Sequence, residues 1–134
     1  MFNQNISISL LQDMCKNTMI DHLGIEFTEI GPEYISAKMP VDHRTHQPLR
    51  MLHGGASVVL AETLGSIAAN VSVNPDTHYC VGLEINANHI RSARTGYVYG
   101  TTIPIHLGKS TQIWEIKINN EEKQLVCISR LTMA

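Results

Sequence analysis

The chain has 134 residues, of which 43% are hydrophobic and 16% charged, a composition that builds a core and excludes disorder. Ten basic and twelve acidic residues leave a formal net charge of −2, which gives no electrostatic footprint for nucleic acid or an anionic membrane surface. Aromatic residues make up 5%, too few to form stacking platforms for single-stranded bases.

At this length one domain is expected over residues 1–134, since no internal repeat, low-complexity run or linker interrupts it. The N-terminal stretch MFNQNISISLLQDMCK has no basic region and no long apolar run, so it does not read as a signal peptide. Cys15, Cys80 and Cys127 are odd in number, far apart and without a C-x-x-C pair. They read as reduced packing residues of a cytoplasmic protein.

Leu10, Leu11, Met14, Met19 and Leu23 recur at helical spacing, which predicts a helix from about Ser7 to Leu23, with Ser7 or Ser9 as cap and Gly24 as stop. Ile25–Ile30 and Tyr34–Val41 read as a hairpin across Gly31-Pro32-Glu33, with Ile35, Ala37 and Met39 on one face. The polar stretch 42–50 holds Pro48 and is expected to be a loop. The run from His53 to Val73 is long and mostly apolar. Glu62, Asn70, three serines and three glycines exclude a membrane span, so it predicts a buried helix. Tyr79–Ile90, Gly96–Leu107, Thr111–Asn119 and Gln124–Thr132 then read as four strands, with Trp114, Ile116 and Ile118 alternating with polar partners. One long apolar helix and about six antiparallel strands predict an α+β fold in which a curved sheet encloses the helix.

On that helix, Leu60, Leu64, Ile67 and Val71 form a large-residue stripe suited to the sheet. Gly55, Val58, Val59, Glu62, Gly65, Ser66 and Ala69 form a second face of mostly small residues. Glu62 is the single ionisable group of the helix interior and is expected to be desolvated there, with Ser66 one turn further on. His53-Gly54-Gly55 opens the helix, where backbone N–H groups lack internal partners and carry the positive end of the macrodipole. Glycines there give an oxygen atom close access to an N–H, the arrangement of an oxyanion site. A rise of ~1.5 Å per residue places Glu62 about 12 Å beyond Gly54. A Glu62 from an antiparallel copy of the helix in a dimer closes that gap.

The stretches PVDHRTHQPLRMLHGGASVVLAETLGSIAA (40–69), VGLEINANHIRSAR (81–94) and PIHLGKS (104–110) closely resemble the hotdog-fold acyl-CoA thioesterases. The resemblance runs from Leu23 to Thr132 and is strongest to the branch of the 1,4-dihydroxy-2-naphthoyl-CoA hydrolase of menaquinone synthesis and the proofreading thioesterase of enterobactin synthesis. It implies Glu62 as the catalytic carboxylate, attacking the thioester or activating water. It also implies that Gln47 and His53 hold and polarise the thioester, the Gly54 N–H contacts its carbonyl oxygen, and Ser66 assists the attacking water or the intermediate. Coenzyme A contacts fall by the same resemblance on Gly82, on His89, Ile90, Arg91 and Ser92, and on His106, Leu107, Gly108, Lys109, Ser110 and Thr111.

The implied assembly is a homodimer whose sites span two subunits, commonly paired into a homotetramer. Coenzyme A enters as part of the substrate, with no separate cofactor, and the branch points to an aromatic acyl group. His43 and His46 show metal-ligand spacing, yet no third ligand accompanies them and no metal is expected. Relatives usually carry an aromatic residue and a glycine after Gln-Pro, where this chain has Leu49 and Arg50. Two alternatives stand beside the thioesterase: a 3-hydroxyacyl dehydratase of the same fold and a non-catalytic acyl-CoA binding module.

Overall fold

The computed structural model describes residues 1–134. Two short helices, α1 (Ile8–Met14) and α2 (Met19–His22), precede the hairpin of β1 (Glu26–Ile30) and β2 (Ile35–Pro40). A long helix, α3 (Gly54–Val71), leads into β3 (Gly82–His89), β4 (Tyr97–Leu107), β5 (Gln112–Asn119) and β6 (Leu125–Met133). The six strands form one sheet in the order β1-β2-β4-β5-β6-β3, and every neighbouring pair is antiparallel. The sheet curls around α3, which packs on β2 through β6. This is the hotdog fold. No helix is long and apolar enough to cross a membrane.

Period-two burial produces the enclosing wall. Ile35, Ala37 and Met39 of β2 and Trp114, Ile116 and Ile118 of β5 are all fully buried on the helix side. Phe2 stacks on Trp114 with ring centroids 6.4 Å apart, and the Trp114 indole donates to Gln112 Oε1 at 2.9 Å. Cys15 and Cys127 belong to the core and Cys80 is half-buried. Burial raises the pKa of all three thiols, in keeping with a packing role.

Two expectations are corrected. The helix over residues 7–23 is broken: Ser7 caps α1 by accepting the Leu10 N–H at 3.1 Å, but Asn17 turns left-handed at φ 60° and the chain restarts at α2. Leu10, Met14 and Met19 therefore lie exposed, while Leu11 alone of the two helices is buried. On α3 the faces are rotated from the predicted stripes. Leu60, Leu64 and Val71 are buried as expected, yet Gly65 and Ala69 are buried with them and Ile67 is half-exposed. Gly65 is needed at its position, because a Cβ there would stand 2.6 Å from Leu131 on β6. Val58, Val59, Glu62, Ser66 and Ile67 remain half-exposed on the outward side.

Candidate active site

Gln47, His53 and Gly54 are carried by the segment that turns β2 into α3. Asp42 holds its start. Its carboxylate accepts from the Arg44 guanidinium at 2.7 and 3.1 Å and from the Arg44 N–H at 2.9 Å, which lowers its pKa to about 2. Thr45 is buried and donates to the Pro40 carbonyl at 2.7 Å. The segment then doubles back, with Gln47 N–H donating to Met51 O and His53 N–H to Thr45 O, each at 2.8 Å. Leu52 N–H to Ala93 O and His46 Nε2 to Arg94 O tie this ribbon to the β3–β4 connection. At its tip the Leu49 N–H donates to Gln47 Oε1, which leaves the Gln47 amide NH₂ free to donate outward. Arg50 follows at φ 63°, the left-handed region that glycine adopts without cost.

At the start of α3 the first backbone N–H groups have different fates. The Gly55 N–H donates to the His53 Nδ1 at 2.8 Å, and those of Ala56 and Ser57 donate to the His53 carbonyl at 3.0 and 3.3 Å. The Gly54 N–H has no partner. The His89 ring lies against Gly54, so close that a Cβ on Gly54 would be 2.9 Å from its Nε2. Here a cleft of about 300 Å³ is lined by Met51, Leu52, Gly54, Ser57, Val126 and the run His89-Ile90-Arg91-Ser92. Arg91 closes its rim by donating to the Leu125 carbonyl at 2.8 Å.

Glu62 lies two turns further along α3, half-buried on its outward side. No donor of the chain bonds its carboxylate. Gly82 of β3 crosses directly above, and a Cβ on Gly82 would stand 2.8 Å from Glu62 Oε1. Ser66 turns its hydroxyl toward the Met133 sulfur at 3.7 Å rather than toward Glu62. Beyond Met133 a smaller cleft of about 70 Å³ is lined by Cys80, Gly108, Lys109, Ser110, Thr111 and Gln112, among others. The Gly108 N–H closes this turn onto the Thr111 carbonyl at 2.9 Å, and the His106 ring covers Gly108. Leu107 is exposed beside it.

One chain thus gathers the expected residues in two separate clusters. Gln47, His53, Gly54 and His89–Ser92 meet at one end of α3, and Glu62, Ser66 and Gly82 meet further along it, near the Gly108–Thr111 turn. The coenzyme A contacts implied by resemblance are divided between these ends. Sequence reasoning missed Met133 and Val126, which reach these clusters only through the β3–β6 register that sets Gly82 opposite Met133.

A family model described as the thioesterase superfamily matches residues 49–127. The chain belongs to that superfamily. A 1,4-dihydroxy-2-naphthoyl-CoA hydrolase of Escherichia coli is 48% identical over 99% of this chain and 97% of its own length. A proofreading thioesterase of Cronobacter turicensis is 44% identical over 99% of this chain and 96% of its own. The crystal structure of a variant Pseudomonas aeruginosa thioesterase superposes with a TM-score of 0.97 at 47% identity, covering 99% of this chain and 96% of that one. A Staphylococcus aureus thioesterase, TM-score 0.84 over 87% of this chain and 96% of its own at 38% and 37% identity, was solved as glutamate-to-alanine and glutamine-to-alanine variants. Those two positions lie fifteen residues apart. As a hotdog thioesterase, this chain is a hydrolase of thioesters.

Proposed function

We propose that this thioesterase hydrolyses acyl-CoA, with a preference for aromatic acyl groups such as 1,4-dihydroxy-2-naphthoyl or benzoyl-type esters, and that Glu62 drives the reaction from a site shared by two chains. One observation carries the reading: α3 holds an unpartnered N–H at Gly54 and an unbonded carboxylate at Glu62 on one rigid rod, about 12 Å apart. Neither half hydrolyses a thioester alone, and an antiparallel second α3 brings each Gly54 to the other chain's Glu62. The β3 edge supports this pairing. It has no strand partner on its outer side, and Val81, Leu83 and Ile90 are exposed along it. Gln47 and Glu62 also stand fifteen residues apart, the separation of the two positions altered in the Staphylococcus aureus thioesterase.

In this arrangement the thioester carbonyl oxygen receives the Gly54 N–H at the positive end of the helix, flanked by donors from His53 Nε2 and the Gln47 amide. Developing negative charge is stabilised there as the carbonyl carbon becomes tetrahedral. Glu62 of the other chain either adds to that carbon, expelling coenzyme A as its thiolate and leaving an anhydride that water cleaves, or takes a proton from the water that adds. Both routes consume one water and yield the free acid and the thiol. In this reading Ser66, one turn beyond Glu62, turns its hydroxyl from Met133 to assist the attacking water or the intermediate. The nucleotide end of the substrate runs over His89–Ser92 and the His106–Thr111 turn, where Arg91 and Lys109 face its phosphates.

Thiol release from a panel of aromatic and aliphatic acyl-CoAs tests this, with the Glu62→Ala protein alongside. Release is expected from the wild type, fastest with aromatic esters, and lower by about 10²–10⁴-fold in the variant. Undiminished release by Glu62→Ala overturns the assignment of the carboxylate. Saturable acyl-CoA binding without thiol release returns the binding-module alternative.

A further inference from the structure

We infer that Asn70 is a positioning residue for Glu62, acting through the backbone of residues 80–82. The inference rests on Glu62 being the working carboxylate.

Glu62 makes no hydrogen bond within its chain, so packing alone fixes its carboxylate. On the sheet side its Oε1 faces Gly82, so close that a Cβ there would stand 2.8 Å away. What fixes Gly82 is therefore what fixes that wall of Glu62. On one side the strand is held by β6: the Val81 N–H donates to the Ala134 carbonyl and the Ala134 N–H to that of Val81. On the helix side it is held by Asn70, eight residues along α3 from Glu62.

The Asn70 amide acts as a surrogate strand. Its Oδ1 accepts the Cys80 N–H at 2.8 Å, and its Nδ2 donates to the Cys80 carbonyl at 3.1 Å and to the Ser66 carbonyl at 2.9 Å. All of these bonds demand one orientation of the amide, because a flipped group would set its oxygen against two carbonyls. No other hydrogen bond holds the Cys80 backbone, and its thiol donates only weakly to the Ala69 carbonyl at 3.7 Å. The preceding connection, Asn74–Tyr79, is exposed and bonded mainly to itself. Asn70 is thus where the returning chain first grips α3, two residues before it crosses Glu62. The third bond, to Ser66 O, ties the same clamp to the turn that carries Ser66.

Side chains of similar size cannot replace this. Aspartate keeps the acceptor for Cys80 N–H, loses both donors and faces two carbonyls with an anion. Alanine leaves Cys80 tied to α3 only by the weak bond of its thiol to the Ala69 carbonyl at 3.7 Å. In either case β3 loses its fixed height over α3 and Glu62 loses its wall, a displacement of the kind that costs catalysis more than binding.

The test is steady-state thiol release by the full-length protein with benzoyl-CoA, or with the best ester of the panel if that differs. Asn70→Ala is expected to lower kcat by about 10–100-fold with KM changed less than about twofold, since a misplacement near 1 Å has that effect. Gly82→Ala, which drives a methyl toward Glu62 Oε1 while keeping the Asn70 bonds, is expected to lower kcat similarly. The double variant should be no slower than either single one. In a Glu62→Ala background, Asn70→Ala should change the residual rate by less than about twofold, because a group acting through Glu62 has nothing left to act on.

Wild-type kcat in Asn70→Ala, a loss confined to KM, or an equal loss in the Glu62→Ala background overturns the inference. A wild-type enzyme that releases no thiol, or that ignores Glu62→Ala, overturns the function on which it rests. If Asn70→Ala does not fold, Asn70→Asp carries the same comparisons.

Discussion

The His53 imidazole caps its own helix: its Nδ1 accepts the Gly55 N–H at 2.8 Å. That bond settles the tautomer, since an accepting Nδ1 leaves the neutral ring's proton on Nε2. One side chain therefore closes the helix start with one nitrogen and presents a donor with the other. The two roles separate by substitution. Asparagine is a preferred cap but lacks the outward ring N–H. His53→Asn is expected to hold the melting temperature while lowering kcat for thiol release by about 10²-fold, the scale of one lost donor to an oxyanion. His53→Ala is expected to lose stability as well, by about 1 kcal/mol. Equal kcat values in His53→Asn and wild type would leave His53 with the cap alone.

Gly54 gives an expectation in which stability and activity separate. An added methyl would press on the exposed, movable His89 ring and cover the unpartnered N–H. Alanine also favours helix over glycine by up to about 1 kcal/mol. Gly54→Ala is therefore expected to melt no lower than wild type and to release thiol at least about tenfold more slowly. Thermal melts and kinetics on one preparation check both halves.

The Asp42–Arg44 pair makes the ribbon before α3 sensitive to acid. The Asp42 pKa is lowered to about 2 from an ordinary 3.8, so folding favours the ionised form. Its contribution is complete above the unfolded value and declines as pH falls from about 4 toward 2. Because the group is exposed at the surface, the effect is small and screened by salt. Asp42→Asn should lower stability slightly at neutral pH, and the gap from wild type should close over that acid range. Denaturant melts at pH 7, 4 and 2.5 measure it, and a gap independent of pH would show that the ion pair is energetically idle.

Thr102 is fully buried on β4 and its hydroxyl has no hydrogen-bond partner. An unsatisfied buried hydroxyl costs on the order of 1–3 kcal/mol, and valine has nearly its shape. Thr102→Val is expected to raise stability by about 1 kcal/mol without changing kcat. Chemical denaturation at an unchanged m-value is the check.

Much of this molecule was legible along the chain because local patterns decided it. The alternation of Trp114, Ile116 and Ile118 marked β5, and the Gly31-Pro32-Glu33 turn marked the first hairpin. The polarity of Glu62 within an apolar helix singled it out, and His53-Gly54-Gly55 marked the start of that helix. The N-terminal helix misled because Leu10, Met14 and Met19 have helical spacing but no partner surface. The left-handed Asn17, whose N–H donates to Asp21, breaks the run instead. The buried side of α3 was misassigned in part because Gly65 meets Leu131 from a strand more than sixty residues away. Likewise Gly82 over Glu62 and Asn70 against Cys80 depend on how the sheet returns, which no local spacing encodes. Arg50 stands at φ 63°, the left-handed backbone shape that glycine serves at no cost.

The rigid length of α3 has a genetic consequence. A protein with a disabled Glu62 still owns an intact His53–Gly54 end, and one with a disabled His53 still owns an intact Glu62. In the shared-site dimer proposed above, co-refolding the impaired Glu62→Ala and His53→Asn chains in equal amounts should rebuild one complete site in every mixed dimer. With random pairing, half of the dimers are mixed and each has one working site of two, so about a quarter of the wild-type rate should return. Two crippled proteins would then make a working one.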